Sequence, residues 1–242
     1  MSKAGAISGL KVEQRIIDKF NKMDADARAW ATLLTNDKTV QVIQAYKPAT
    51  QIKTDIFLES LTSLGKLNKT ISVKSVKSKV GSNQLTRFWT SLLVDKFGLE
   101  NDLANILKRF TGEASWNGNR ENLKREKLSA HPEHKVERLK EFFYENKYDL
   151  IKWMFTGDEN IDHFMVVTNV GTALPSYFIY PMQEVISYYS AGDAVITSRG
   201  WGGIKIGRVS IQRKGGDKGK FSACQLQSKI RVGELSLDYK DK

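Results

Sequence analysis

The chain has little of what many other chemistries require. One cysteine, Cys224, among 242 residues excludes an intramolecular disulfide and any thiolate-rich metal site. It reads as a small residue in a strand. No apolar run approaches the ~18 residues of a membrane span, and neither a terminal basic amphipathic segment nor a lipidation signal is present, so no membrane partner is expected. The start, MSKAGAISGL, lacks the apolar core of a signal peptide, and the expectation is a cytoplasmic protein. Histidine is scarce too. His131-Pro132-Glu133-His134 has no third histidine or cysteine nearby to complete a zinc site and reads as a helix start. Serine-protease and P-loop patterns are missing. Acids are outnumbered, 27 Asp+Glu against 38 Lys+Arg, and the resulting +11 makes nucleic acid the first candidate partner.

What is present supports a folded domain. At 40% hydrophobic content the chain can bury a core, and residues 1–242 are expected to form a single domain. Val12, Ile16, Ile17, Phe20 and Met23 recur at helical spacing, and Asp24 or Asp26 can start a second helix. The period then changes to two: Val40–Tyr46, Thr54–Leu61 and Thr70–Val76 read as strands, broken by Lys47-Pro48 and turned at Leu64-Gly65. Leu85, Phe88, Trp89, Leu92 and Leu93 follow at spacings of three and four, opening a largely helical region over 84–160. From Phe164 strands dominate, with a helix after Pro181, and residues 195–230 form basic strands and loops. The predicted class is α/β in the mixed α+β sense: a central mixed sheet flanked by helices, with a helical insert.

One pair of strands has the makings of a reaction centre. Hydrolysis of a phosphodiester needs an anion to hold a divalent metal and a cation to orient water or offset developing charge. In the PD-(D/E)-x-K nuclease motif the first acid opens one hairpin strand, and an acid-x-lysine triplet lies on the next. Here Asp55 opens the first strand and Ser72-Val73-Lys74 occupies the second, with Ser72 and Lys74 on one face and Ile71 and Val73 on the other. Ser72 departs from the motif because it is neutral where a carboxylate is usual. Its hydroxyl can still hold a metal-bound water. Glu13, beside the apolar stripe of the first helix, is the candidate for the missing charge, although a solvated helix carboxylate is the plainer description of it. The candidate catalytic residues are Asp55, Ser72, Lys74 and Glu13, and the candidate metal set is Asp55, Ser72, Val73 and Glu13, for Mg2+.

The run from Lys53 through the Leu85–Leu93 stretch, then Phe110-Thr111-Gly112-Glu113, resembles the HinP-type restriction endonucleases that cut GCGC, members of the PD-(D/E)-x-K superfamily. So does Gly207-Arg208-Val209-Ser210-Ile211-Gln212-Arg213-Lys214-Gly215-Gly216-Asp217, followed at the family's spacing by Gln225-Leu226-Gln227-Ser228-Lys229. The resemblance covers most of the chain and is weakest over 114–160. It implies a restriction-endonuclease-like fold, and it places the family's metal-binding aspartate on Asp55, its catalytic lysine on Lys74 and its early helical glutamate on Glu13. A glutamine stands at the middle position in the relative, so Ser72 is a further departure that bears on the number of metal ions. Asn83-Gln84 matches a pair whose glutamine reaches into the DNA, and Arg87 falls on a lysine of the relative. It also implies a bacterial host with a cognate DNA methyltransferase, a monomer or weak homodimer, and a four-base palindromic site with central CG.

Candidate DNA contacts fall into two stretches. Lys66, Lys69, Lys74, Lys77 and Lys79 form a run with no intervening acid, which suits a phosphate track and equally suits a lysine-protected strand edge. Residues 199–220 carry Arg199, Lys205, Arg208, Arg213, Lys214, Lys218 and Lys220 against Asp217 alone, more than half of the chain's net charge. Gln212, Arg213 and Lys214, ahead of a Gly-Gly-Asp turn, have the donors and acceptors that read base edges, and Asp217 can accept from a cytosine amine. Arg199 and Trp201 lie in a second glycine-rich loop. Asp158, Asp162 and His163 match no nuclease spacing, and Gly157-Asp158 reads as a loop before a strand. The expectation is a type II, magnesium-dependent restriction endonuclease acting on double-stranded DNA. The alternatives are a sequence-independent repair or structure-specific nuclease, which cuts without a fixed sequence, and a non-catalytic DNA-binding protein, which Ser72 favours.

Overall fold

A computed structural model describes residues 3–50, 52–76, 82–118, 123–170, 172, 175–197, 203–214 and 220–238. The chain divides into two compact units: Met1–Asn83 with Thr156–Val185 and Arg231–Lys242, and Gln84–Phe155 with Ile186–Ile230.

In the first unit, helices α1 (Lys3–Lys22) and α2 (Ala25–Thr35) precede strands β1 (Gln41–Tyr46), β2 (Ile56–Thr62) and β3 (Gly65–Ser75). Asp24 separates the two helices because its carboxylate accepts the Ala27 N–H at 2.9 Å, satisfying one of the free donors at the start of α2. Two later strands, β5 (His163–Thr168) and β6 (Ser176–Pro181), complete a mixed sheet in the order β1-β2-β3-β5-β6. Val12, Ile16, Ile17 and Phe20 of α1 and Ala27, Ala31 and Leu34 of α2 pack with Ile56, Leu58, Ile71, Val73, Met165 and Val167. Because side chains alternate along a strand, burying Ile71 and Val73 under the helices turns Ser72 and Lys74 to the opposite face.

Strand β3 changes partners midway. It pairs antiparallel with β2 from Gly65 to Ile71 and parallel with β5 from Ile71 to Ser75. Past Ile71, no strand among the described residues lies beside the edge that faced β2, and its backbone groups need other partners.

The second unit holds β4 (Asn83–Phe88) from Gln84 on, α3 (Thr90–Phe97), α4 (Asn101–Thr111), α5 (Glu133–Glu145) and α6 (Lys147–Thr156) up to Phe155. After α7 (Met182–Ser190) come β7 (Ala194–Thr197), β8 (Gly203–Ile206), β9 (Val209–Arg213) and β10 (Leu226–Ile230), in a sheet ordered β4-β10-β9-β8-β7. Helix α8 (Val232–Asp238) follows, returning to the first unit. The β8–β9 turn requires glycine at Gly207: its φ is +54°, and an added Cβ would lie 2.4 Å from the Tyr189 carbonyl oxygen.

Two sequence expectations are corrected. Leu85, Phe88 and Trp89 do not begin a helix: Leu85 and Phe88 are buried from a strand, and α3 starts only at Thr90. Pairing with β10 makes this stretch a strand, on which Leu85 and Phe88, three residues apart, face opposite sides and are each buried there rather than forming one helical stripe. Cys224 is buried as expected of a small residue, but in a short 3-10 turn, Phe221–Cys224, rather than in a strand.

Candidate active site

Asp55 stands where β2 gives out beside β3. Its N–H donates to the Ile71 carbonyl at 3.0 Å, the last backbone link between the two segments on that side. The next inward N–H of β3, that of Val73, has lost its strand partner and donates instead to Asp55 Oδ2 at 2.7 Å. Ser72 Oγ donates to the same oxygen at 3.2 Å. Lys74 Nζ lies 3.8 Å from Asp55 Oδ2 and donates to the Val73 carbonyl at 3.2 Å. All contacts to the carboxylate therefore gather on Oδ2. Oδ1 receives no hydrogen bond among the described residues, and the side chain keeps 20% of its surface exposed.

These donors suit a hard divalent cation. Mg2+ takes oxygen ligands and commonly binds through one or two carboxylates while keeping several waters. Asp55 Oδ1 and the Val73 carbonyl are such oxygens, and Ser72 is 3% exposed with its hydroxyl committed to Asp55. No group of three or more His, Cys, Asp or Glu gathers among the described residues. Glu13 is not brought to this centre by any described contact. It belongs to α1, which covers the Ile71–Val73 face, and its carboxylate is paired with Lys47.

In the second unit, β9 and β10 are antiparallel with Gln212 opposite Gln227 and Arg213 opposite Leu226. Gln227 donates through Nε2 to Gln84 Oε1, so Gln84, Gln227 and Gln212 form a row of amides across β4, β10 and β9. Lys214 is 5% exposed, and burial first, then the charge of Arg87, lowers its pKa. Arg213 lies over the Phe110 ring at 5.8 Å and is likewise lowered by burial and by Arg125. Arg208 stacks on Tyr188 at 4.0 Å. Asn83, in the first unit, donates to the Ser75 carbonyl at 3.1 Å. Lys77, Lys79, Arg199, Trp201 and Asp217 lie outside the described residues.

The family model of the R.HinP1I restriction endonuclease matches residues 32–236. The chain belongs to that family. It is accordingly a type II restriction endonuclease, an enzyme of site-specific DNA cleavage, and restriction endonucleases generally use divalent metals. The crystal structure of restriction endonuclease MspI in complex with its cognate DNA is similar, with a TM-score of 0.63 at 13% identity over 93% of this chain and 90% of that chain. At such identity the likeness is one of fold, the restriction-endonuclease-like fold. No curated protein matches. Asp55, Ser72 and Lys74 lie inside the matched span and Glu13 precedes it.

Sequence reasoning passed over three residues of this R.HinP1I-family chain. Gln227 sits in a stretch quoted only for its likeness, although Leu226, Ser228 and Ile230 are buried and alternation alone turns Gln227 the other way. Lys53, two residues before Asp55, is held to a pKa of about 8, chiefly by burial, then by Lys74, with Asp55 and Glu159 pulling upward. Glu159 accepts from the backbone of Lys53 and Thr54. Its separation of 105 residues from Thr54 left no local signal.

Proposed function

We propose that this R.HinP1I-family enzyme hydrolyses phosphodiesters of double-stranded DNA with Mg2+ at a short palindrome with central CG, such as GCGC. The carrying observation is the asymmetry of Asp55: Oδ2 is tied down by Ser72 and Val73 with Lys74 within ion-pair reach, and Oδ1 receives no hydrogen bond among the described residues, while Lys74 also donates to the Val73 carbonyl. When bound, Mg2+ supplies a water of lowered pKa and a Lewis acid at the phosphoryl oxygen. Asp55 and the Val73 carbonyl would hold it. Ser72 fixes the Asp55 rotamer. Lys74, within ion-pair reach of Asp55, places a positive charge against the pentacovalent phosphorus and orients the attacking water.

For base reading, the amide row Gln84–Gln227–Gln212 offers paired donors and acceptors on one sheet face. Lys214 is buried and within reach of the Arg87 charge, and its pKa is lowered by burial first and then by that charge, an arrangement that a phosphate or guanine edge relieves. Asn83, Arg208 and Arg213 are further candidates for contacts to backbone or base, and MspI, solved with its cognate DNA, supports DNA as the partner. A cognate methyltransferase protecting the host's DNA, a bacterial cytoplasmic setting and a monomer or weak homodimer belong to the same reading.

Digestion of a sequenced plasmid in Mg2+, with the ends mapped, tests this. Discrete ends sharing one palindrome are expected. A smear identifies a sequence-independent nuclease, and intact plasmid beside salt-sensitive DNA binding identifies a non-catalytic protein.

A further inference from the structure

The short segment leading into β5 reaches back to both strands of the reaction centre. Glu159 Oε2 accepts the Thr54 N–H at 2.9 Å and the Thr54 hydroxyl at 2.8 Å, and Oε1 accepts the Lys53 N–H. Asp162 Oδ2 accepts the Thr70 N–H at 2.9 Å and the Thr70 hydroxyl at 2.8 Å. The Asp162 N–H returns a bond to Thr70 Oγ1 at 2.9 Å, and Lys69 Nζ lies 3.4 Å from Asp162 Oδ1. The same threonine hydroxyl is also 3.0 Å from the Asn160 carbonyl. Thr54 immediately precedes Asp55 and is 3% exposed, and Thr70 stands just ahead of Ser72. Each carboxylate thus grips a threonine through both its N–H and its hydroxyl, one adjacent to Asp55 and the other two residues ahead of Ser72.

The geometry points to Glu159 and Asp162 as positioning residues of the metal centre. Where β2 ends, the backbone link from Asp55 to Ile71 is the last that ladder pairing provides. Lys53 and Thr54 lie beyond it and would otherwise leave their N–H groups unpaired. Glu159 takes both, and this sets the direction from which Asp55 enters. Asp162 fixes Thr70 at the point where β3 passes from β2 to β5. Because both carboxylates belong to one stretch of chain, a third element braces Asp55 and the Ser72–Lys74 run in addition to the bonds that Asp55 makes directly to Ile71, Ser72 and Val73. Charged acceptors make stronger hydrogen bonds than neutral ones, which suits a part that must hold an anion and a carbonyl in register for a cation. This inference rests on reading Asp55 and Lys74 as the nuclease centre.

The test uses the full chain in five forms: unsubstituted, Glu159→Gln, Asp162→Asn, Thr54→Val and Thr54→Ser. Three quantities are read: the Mg2+ concentration for half-maximal single-turnover cleavage of a duplex carrying the mapped site, Mg2+ binding by titration calorimetry, and the melting midpoint. Glu159→Gln and Thr54→Val are expected to weaken Mg2+ binding and raise the half-maximal concentration by about 10–100-fold, the usual effect of losing an outer-shell partner. Asp162→Asn should do the same to a lesser degree, and Thr54→Ser, which keeps the hydroxyl, should restore both. If Glu159→Gln does not fold, the Thr54→Ser and Thr54→Val pair reads the same contact. Wild-type Mg2+ binding and metal dependence in Thr54→Val, with only a lower melting midpoint, would overturn the inference and leave the nuclease reading standing. Failure of the unsubstituted chain to cleave in Mg2+ would overturn both.

Discussion

The Val73 N–H donates to Asp55 Oδ2 at 2.7 Å, so that in the proposed centre Oδ1 is the carboxylate oxygen left for a cation. The bond exists because β3 continues beyond the end of β2, so an inward amide that a longer β2 would have paired is met by a side chain. Asparagine at this position can offer one oxygen to Val73 and only an NH2 group at the outer position. Asp55→Asn is therefore expected to fold, to bind the site-containing duplex within a few-fold of wild type, and to cleave at least about a thousandfold more slowly. Lys74→Met should behave alike. Gel-shift titration without metal and single-turnover cleavage in Mg2+ check both, and full cleavage by either variant would remove that residue from the centre.

Ser72 invites the reverse experiment. Ser72→Asp restores a carboxylate to the middle of the motif, but sets it against Asp55 in a nearly buried position, where two like charges oppose ionisation. Its melting midpoint without metal should fall below that of wild type, and added Mg2+ should raise it by more than it raises the wild type. A metal-induced rise no larger than in the wild type contradicts a cation bound at Asp55 within reach of position 72.

Lys53 yields a pH dependence with a definite sign. Folded, its pKa is lowered from 10.5 to about 8 by burial and by Lys74. Between those values the unfolded chain still holds the proton that the folded chain has released, so stability rises with pH across the window. Below about pH 8 the lysine is charged in both states and the full cost of burying it is present. Lys53→Met should consequently be more stable than wild type at pH 7, with the difference closing as pH approaches 10.5. Urea unfolding of both proteins at pH 7 and pH 10 measures it, and a gap that does not narrow disproves it.

Arg125 joins three carbonyls: those of Thr111, Lys214 and Ala223, at 3.0, 3.3 and 2.9 Å. It thereby ties the chain on both sides of residues 215–219 to the end of α4. Arg125→Ala is expected to cost on the order of 3 kcal/mol, the loss of charged hydrogen bonds to part-buried acceptors. It should also relax discrimination, so that sites differing by one base pair are cut faster relative to the preferred site. Competition digests together with thermal melts would show both effects, and a variant as selective and as stable as wild type refutes the role.

The pattern of what the sequence revealed follows from which interactions are local. Strand alternation around Asp55 and Ser72–Lys74 was readable because each pattern sits within one stretch, and the two stretches are adjacent in the chain. The helical stripe of α1 and the cap at Asp24 were readable for the same reason. Leu85 and Phe88 were misread because the deciding contact is with β10, far along the chain. Glu13 had the right residue type on the expected helix, but which face of β3 that helix covers depends on Ile71 and Val73 meeting Ile16 and Phe20 in three dimensions. Asp162 was set aside for lacking a nuclease spacing. Its work, gripping Thr70 across 92 residues, leaves no periodic trace in sequence.

The parallel pairing of β3 with β5 also bears on synthesis. A ribosome releases the Asp55–Lys74 hairpin early, but β5 and the carboxylates of Glu159 and Asp162 emerge only after the whole intervening stretch has been made. Long-range pairing of this kind forms late in folding. A fragment that ends before β5, whether nascent or proteolysed, has the hairpin without its clamps. If Asp55 and Lys74 form the nuclease centre, such a fragment would carry its residues without the carboxylates that brace them, and should be inactive on DNA until β5 has been made.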